Sequence, residues 1–288
     1  MPTFESTRAE ATRKSVFFIL GKGSIPFMMR RFSFLAILFC LTVILFSACS
    51  TAPPNGITQV ATIDALLTGV YDGHMSLETL RSYGDFGLGT FEGLDGEMIL
   101  LDGTFYKVRA DGKVYEPGLS ERTPFACVTA FEPDRRETIS ERADLAALEK
   151  RIDALAPGPN RFCAFIIRGT FDQVTTRSVP AQQRPYPPLV EVARNQPVFH
   201  LSNVRGILIG FRSPAFVKGV NVPGYHLHFL AEDLSGGGHV LDLVLREGVL
   251  EADTVHDWLS IYLPIENPSF AGADLSVDRT RETQAVEK

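Results

Sequence analysis

At 288 residues, 45% hydrophobic and 22% charged, the chain has the composition of a globular protein that buries a substantial core, organised as one large or two modest domains. A formal charge of −6 and a pI near 5.6 leave no basic stripe, which argues against nucleic acid as a partner and favours an enzyme acting on something small.

The chain opens on a segment to be set aside before any fold is considered. Met28-Met29-Arg30-Arg31 precedes an apolar run over 32–46 that closes on Ser47-Ala48-Cys49, the charged, apolar and small-residue order of a secretory signal. Residues 1–27 then read as an upstream extension, with translation expected to begin at Met28 or Met29. The Ser-Ala-Cys ending resembles a bacterial lipobox, although Phe46 is uncommon at its first position. It would place a lipidated Cys49 at the mature N-terminus and attach the protein to a membrane by that lipid only. An uncleaved anchor is the alternative, but about fifteen apolar residues are short for a span of about twenty. Export to the periplasm, the cell surface or the medium is expected, with the cytoplasm as the destination if the segment is unused. Cys40 and Cys49 belong to this region, which leaves Cys127 and Cys163 inside apolar β-like runs. A disulfide and two buried free thiols fit equally well.

Residues 51–56, with Pro53-Pro54-Asn55-Gly56, have the composition of a tether. Val60, Ile63, Leu66, Leu67, Val70 and Tyr71 then recur at helical spacing up to Asp72-Gly73, which predicts a helix over about 58–71. Ser76 caps a short turn through Leu80. Strands are expected at 86–92, 97–101, 104–109 and 113–115, joined by Gly93-Leu94-Asp95-Gly96, Asp102-Gly103 and Ala110-Asp111-Gly112, in an antiparallel meander. Another strand follows at 125–131. Ser140 is the expected cap of a helix with the stripe Leu145, Leu148, Ile152 and Leu155, stopped by Pro157-Gly158-Pro159-Asn160.

A long strand over 161–177 leads into a Pro- and Gln-rich run, 178–188, that reads as a linker between two sheets, with one or two helical turns within 187–196. Further strands are expected at 198–204, 205–212, 225–232, 239–245 and 259–263. Strands outnumber helices, so the class is α+β, with two β-rich domains of mainly antiparallel or mixed sheets. Residues 57–180 form the expected N-terminal α/β domain and 181–264 a C-terminal β domain with the metal site. Residues 265–288 read as a tail, and its Pro268, Gly272 and many charges make it look expendable.

Three of the six histidines fall in one expected hairpin, in Tyr225-His226-Leu227-His228 and Gly236-Gly237-Gly238-His239. On a strand, His226 and His228 point to one side with Cα atoms roughly 6.5–7 Å apart. His239 on the returning arm completes a facial set. Three neutral imidazoles leave a coordination position open, the arrangement of a catalytic metal, zinc above all. The bland alternative is that His-x-His on a strand is mere surface or core decoration. His74, His200 and His256 stand alone and read as turn or edge residues. Glu97 and Arg177 occupy strand ends, where functional groups concentrate, but each also reads as a solvated charge.

Five segments together say more: Gly87-Leu88-Gly89-Thr90-Phe91-Glu92, Leu94-Asp95-Gly96-Glu97-Met98, Thr176-Arg177-Ser178-Val179-Pro180, Tyr225-His226-Leu227-His228-Phe229 and Gly236-Gly237-Gly238-His239-Val240-Leu241. In this order the chain, from about Gln59 to Lys288, resembles the α-acetolactate decarboxylase family, bacterial enzymes that convert acetolactate to acetoin. The resemblance implies two β-rich domains, a homodimer paired through sheet edges, and one zinc on His226, His228 and His239. It maps the family's acid to Glu97, its substrate arginine to Arg177 and a nearby threonine to Thr90. A second acid comes from the tail, best matched by Glu287 with Glu282 as fallback, so the tail is expected to fold back over the site. Burial and proximity are then expected to push the pKa values of Glu97 and Glu287 apart. The implied reaction is loss of carbon dioxide from (S)-2-acetolactate, a small keto acid, to give (R)-acetoin in acetoin and butanediol biosynthesis, with zinc as electrophile and no organic cofactor. Two rival classes stand beside it. One is another three-histidine metalloenzyme, a cupin-like dioxygenase or a zinc hydrolase, which would require oxygen or water. The other is a non-enzymatic surface lipoprotein that binds metal or a ligand.

Overall fold

Residues 55–287 are described by a computed structural model. The expected signal peptide, its start at Met28 or Met29, the lipobox at Cys49 and most of the tether lie outside the described residues. The first half of the chain contains β1 (Gly56–Val60), α1 (Ile63–Leu67), β2 (Met75–Ser76), α2 (Leu77–Arg81), β3 (Phe86–Thr90), β4 (Glu97–Leu101), β5 (Thr104–Val108), β6 (Val114–Tyr115), β7 (Arg122–Thr123), β8 (Ala126–Thr129), β9 (Arg135–Ile139), β10 (Ala143–Asp144) and α3 (Leu145–Leu155). It continues through β11 (Cys163–Arg177), α4 (Leu189–Ala193), β12 (Val198–Ser213), β13 (Gly224–Ala231), β14 (Gly237–Asp253), β15 (Trp258–Tyr262), α5 (Pro268–Ala271) and α6 (Thr280–Glu287). Among the described residues no helix is long and apolar enough to cross a membrane.

Strands dominate, as the α+β assignment requires. A seven-stranded sheet runs β15-β1-β8-β3-β4-β5-β6, antiparallel except where β15 lies parallel to β1. The second sheet runs β10-β14-β11-β12-β13, with β9 also on β14. It curls until β14 meets β13 as well. Alternation along β11 sends Phe165 and Ile167 into the core enclosed by the curl, and Ala164 and Ile166 to the opposite side, against Phe86, Leu88 and Ile99 of the first sheet. Fully burying a side chain such as Phe86 or Leu88 contributes about 1.5–3 kcal/mol, so this shared layer holds the two sheets together.

Several sequence expectations need correction. The helix over 58–71 is instead β1 followed by the five-residue α1, whose cap Thr62 accepts a hydrogen bond from the Ala65 amide at 3.2 Å. Ile57 and Val60 pack into different clusters, as residues three apart on a strand do, and Ala61 at φ +52 breaks the path between strand and helix. Helix α3 is capped by Asp144, not Ser140, with the Asp144 carboxylate accepting from the Ala147 amide at 2.8 Å. The run 178–188 does not join two sheets, because β11 and β12 on either side of it pair with each other over most of their length. Position 180/181 is therefore no boundary between sheets. The separate strands expected at 198–204 and 205–212 are the single β12, and the strand expected at 239–245 extends to Asp253. Cys127 and Cys163 are buried free thiols in different clusters, not a disulfide. His74 is buried, and the His256 ring is enclosed beside Asp253, so neither is an edge residue. Ser76 does cap α2, accepting from the Thr79 amide at 3.2 Å.

Candidate metal centre

Strand geometry brings the histidines together. His226 and His228 are two apart on β13 and share a face, and the antiparallel return of β14 sets His239 directly opposite His228. Gly238 makes that approach possible. Its φ is +124, and a Cβ there would lie 2.4 Å from the Arg177 carbonyl oxygen, a position that only glycine fills. On the other flank of β14, Arg177 at the end of β11 pairs with His239, just past a register shift between Thr175 and Thr176. The Thr176 hydroxyl pins this junction by donating to the Gly237 carbonyl at 2.7 Å.

The first sheet supplies the facing wall. Thr90 on β3 and Glu97 on β4 are partners in register across their hairpin. The Thr90 hydroxyl donates to the Gly96 carbonyl at 2.9 Å and so holds the turn that delivers Glu97. Ser178 ties the two walls, donating to the Val108 carbonyl at 2.7 Å.

One ring nitrogen from each of His226, His228 and His239 lies within 4.8 Å of the others, and all three residues are buried. The Nδ1 of His228 stands 2.8 Å from the Met98 carbonyl oxygen, so it carries the proton, and the carbonyl fixes the ring with a lone pair free on Nε2. That Nε2 and the Nδ1 of His239 have no hydrogen-bond partner among the described residues, and each faces a carboxylate oxygen, as His226 does through Nε2. Buried polar atoms left unpaired are costly, and a divalent cation resolves such a set. Burial, reinforced by the Arg177 charge, lowers His226 to about 3. Burial also holds His228 and His239 well below the ordinary range, with neighbouring histidines and Arg177 adding to the shift. All three are neutral near pH 7, the form that binds metal. The residues fit a metal ion.

Two carboxyls and a guanidinium surround this group. Arg177 Nη1 donates to Glu97 Oε1 at 2.9 Å, and its Nη2 donates to the Val286 carbonyl at 2.7 Å. Glu97 Oε2 is 3.6 Å from His228 Nε2, while Glu287 Oε2 is 3.4 Å from His226 Nε2 and 3.8 Å from His239 Nδ1. With neutral imidazoles these are not ion pairs but close contacts between carboxyl oxygens and ring nitrogens. Thr90, Glu97, Arg177 and Glu287 line one cavity with His226 and His239, and the two carboxyls lie against the imidazoles. Glu282 does not: it pairs with Arg279 at 3.1 Å, which leaves Glu287 as the tail acid at the site. Sequence reading missed the Met98 and Val286 carbonyls, for main-chain groups leave no residue signature. It also missed the apolar wall of Leu66, Phe125, Val179 and Leu189 around the central cavity.

Burial pushes Glu97 up to about 7, against the lowering pull of Arg177 and with Glu287 adding to the rise. Glu287 is raised by burial and opposed by Arg177. Glu97 in metal-free protein is therefore mostly protonated at pH 6 and ionises as pH rises through about 7. A divalent cation on the histidines favours the ionised form. Infrared difference spectra of metal-free protein should show a protonated-carboxyl band at pH 6 that is absent from Glu97→Gln and bleaches when zinc is added. An ionised Glu97 at pH 5 would contradict the burial account.

Comparison with known proteins gives the family. The sequence model of the Alpha-acetolactate decarboxylase family matches residues 57–277, ending before α6. The alpha-acetolactate decarboxylase of Methanosarcina mazei is 47% identical over 233 residues, covering 80% of this chain and 79% of that protein. That of Raoultella terrigena is 43% identical over 239 residues, covering 83% of this chain and 91% of the relative. The crystal structure of alpha-acetolactate decarboxylase from Bacillus subtilis strain 168 superposes with a TM-score of 0.78 at 40% identity, over 81% of this chain and 99% of that one. With identity at this level across most of both chains, and the same fold, this chain belongs to the alpha-acetolactate decarboxylase family.

Proposed function

We propose that the protein decarboxylates (S)-2-acetolactate to (R)-acetoin and carbon dioxide, in acetoin and butanediol biosynthesis, with zinc held by His226, His228 and His239. The observation that carries this reading is a group of three buried histidines within metal-binding reach of one another, with Glu97, Arg177 and Glu287 beside them, in a member of this family. A divalent cation there supplies electrophilic stabilisation of the oxygen on which charge collects as carbon dioxide departs. The side chains perform the rest. Arg177 Nε is buried without a partner among the described residues and offers a charge-assisted donor to a substrate oxygen, while Nη1 and Nη2 stay committed to Glu97 and the tail. The Glu97 and Glu287 carboxyls, both beside the histidines, are placed to pass a proton from solvent to the carbon that loses carbon dioxide. Leu66, Phe125, Val179 and Leu189 exclude water and receive the substrate's methyl groups. Zinc-loaded protein given racemic acetolactate without oxygen should release carbon dioxide and (R)-acetoin. Absence of acetoin, or a product formed only with oxygen, would return the site to the wider class of three-histidine metalloenzymes.

A homodimer belongs to the same proposal. Strand β15 is an edge of the seven-stranded sheet, paired on one side to β1, and it exposes Trp258, Ile261 and Tyr262, with Leu263 and Ile265 just beyond. An exposed apolar edge is a template for pairing with a second copy. Light scattering should find a dimer, and Trp258→Lys with Ile261→Lys should convert it to monomer. A wild-type monomer at micromolar concentration would remove the dimer.

A further inference from the structure

The central cavity among the histidines, Glu97 and Glu287 measures about 30 Å³. By the same measure one water needs about 10–15 Å³, so the cavity has room for two or three waters and not for a keto acid of several carbons and oxygens. Some wall must move during each turnover. Strands β3, β4, β11, β13 and β14 are each paired within their sheets and are poor candidates. Helix α6 is different. It follows a segment without sheet pairing, and it is held by the burial of Val286, by the hydrogen bond from Arg177 to the Val286 carbonyl, and by one exposed pair near its start, Lys218 Nζ to Asp278 Oδ2 at 2.8 Å.

Directly outside Glu287 lies a second pocket, of about 220 Å³. Ala215, Lys218 and Val222 line one side of it, and Thr280, Thr283 and Gln284 of α6 line the other. Glu287 borders both this pocket and the inner cavity, so its carboxyl is the partition between them. We propose that the outer pocket is the passage through which a small hydroxy-keto carboxylate reaches the histidines, and that α6, carrying Glu287, is the gate, swinging on residues 272–279. The same residue thus closes the site over bound substrate and serves as an acid within it. This inference rests on the decarboxylase reading for the identity of the ligand but not for the existence of the passage.

The test uses full-length, zinc-loaded protein and two readouts: the rate at which dipicolinate strips zinc, and kcat/KM for acetolactate. Gln284→Trp and Ala215→Trp fill the pocket from opposite walls. Each should slow zinc loss and lower kcat/KM by at least about tenfold, as expected where passage through a gate limits access. Lys218→Ala, which frees the start of α6, should speed zinc loss severalfold. Arg281→Trp, an exposed α6 position outside the pocket, should match wild type in both. If both pocket-filling variants are folded by circular dichroism, carry full zinc and still lose it at the wild-type rate, the passage lies elsewhere and the proposal falls. The chelator readout needs no substrate, so a wild-type protein that makes no acetoin overturns the decarboxylase reading while the gate is judged separately.

Discussion

His228→Ala should retain no zinc and should lower acetoin formation by at least about a thousandfold, the rate equivalent of several kcal/mol of charge stabilisation at 1.36 kcal/mol per factor of ten. His228 is chosen because it is completely buried and its ring is already oriented by the Met98 carbonyl at 2.8 Å, so its Nε2 has no function in the fold other than to face the centre. His226→Ala and His239→Ala should behave alike, since a set of two imidazoles no longer completes the face. Zinc content by emission spectroscopy and acetoin formation should fall together. Thermal unfolding gives an independent check: zinc that binds only the folded protein raises the melting temperature of wild type and should leave the variants unmoved. Full zinc occupancy in all three would refute the site. Loss of zinc with near-normal turnover would refute the mechanism and keep the site.

What made the histidines legible is that their juxtaposition is local. A two-residue repeat on β13 and a short hairpin fix His226, His228 and His239 without reference to the rest of the chain. Glu97 was partly legible for the same reason, since Asp95-Gly96 marks the hairpin that ends on it. Its partner was not. Arg177 reaches the site because β14 pairs with β11 on one side and β13 on the other, and no periodicity reports which distant strands become neighbours. The same limit explains the misread linker: Pro and Gln at 178–188 signal irregular backbone but are silent on whether the flanking strands share a sheet. The helix expected over 58–71 failed because apolar residues three apart satisfy a helix and also occur on opposite faces of a short strand. The site assignments in the first hairpin and the tail came from family resemblance, and the structure brings those residues to the histidines.

The tail is where composition and structure diverge most, and deleting residues 281–288 is the second large expected effect. Turnover should fall by at least about a hundredfold, the low end of what positioned acid–base groups contribute. Zinc should stay, because His226, His228 and His239 sit on β13 and β14 and not on α6. The deletion removes three things at once: the Glu287 carboxyl, the Val286 carbonyl that accepts from Arg177, and the Val286 side chain buried against Leu66, Leu94 and Leu189. Loss of that burial alone should cost about 1.5–3 kcal/mol, visible as a lower melting temperature. Glu287→Gln separates the contributions. It leaves Val286 and the Arg177 hydrogen bond in place, so stability should hold near wild type while most of the turnover is lost. Glu282→Gln should leave turnover near wild type, because Glu282 pairs with Arg279 and does not touch the histidines. A truncated enzyme with wild-type turnover would remove the tail from the chemistry. A damaging Glu282→Gln beside a silent Glu287→Gln would mean that α6 sits over the working site in a different register, with the other acid facing the metal.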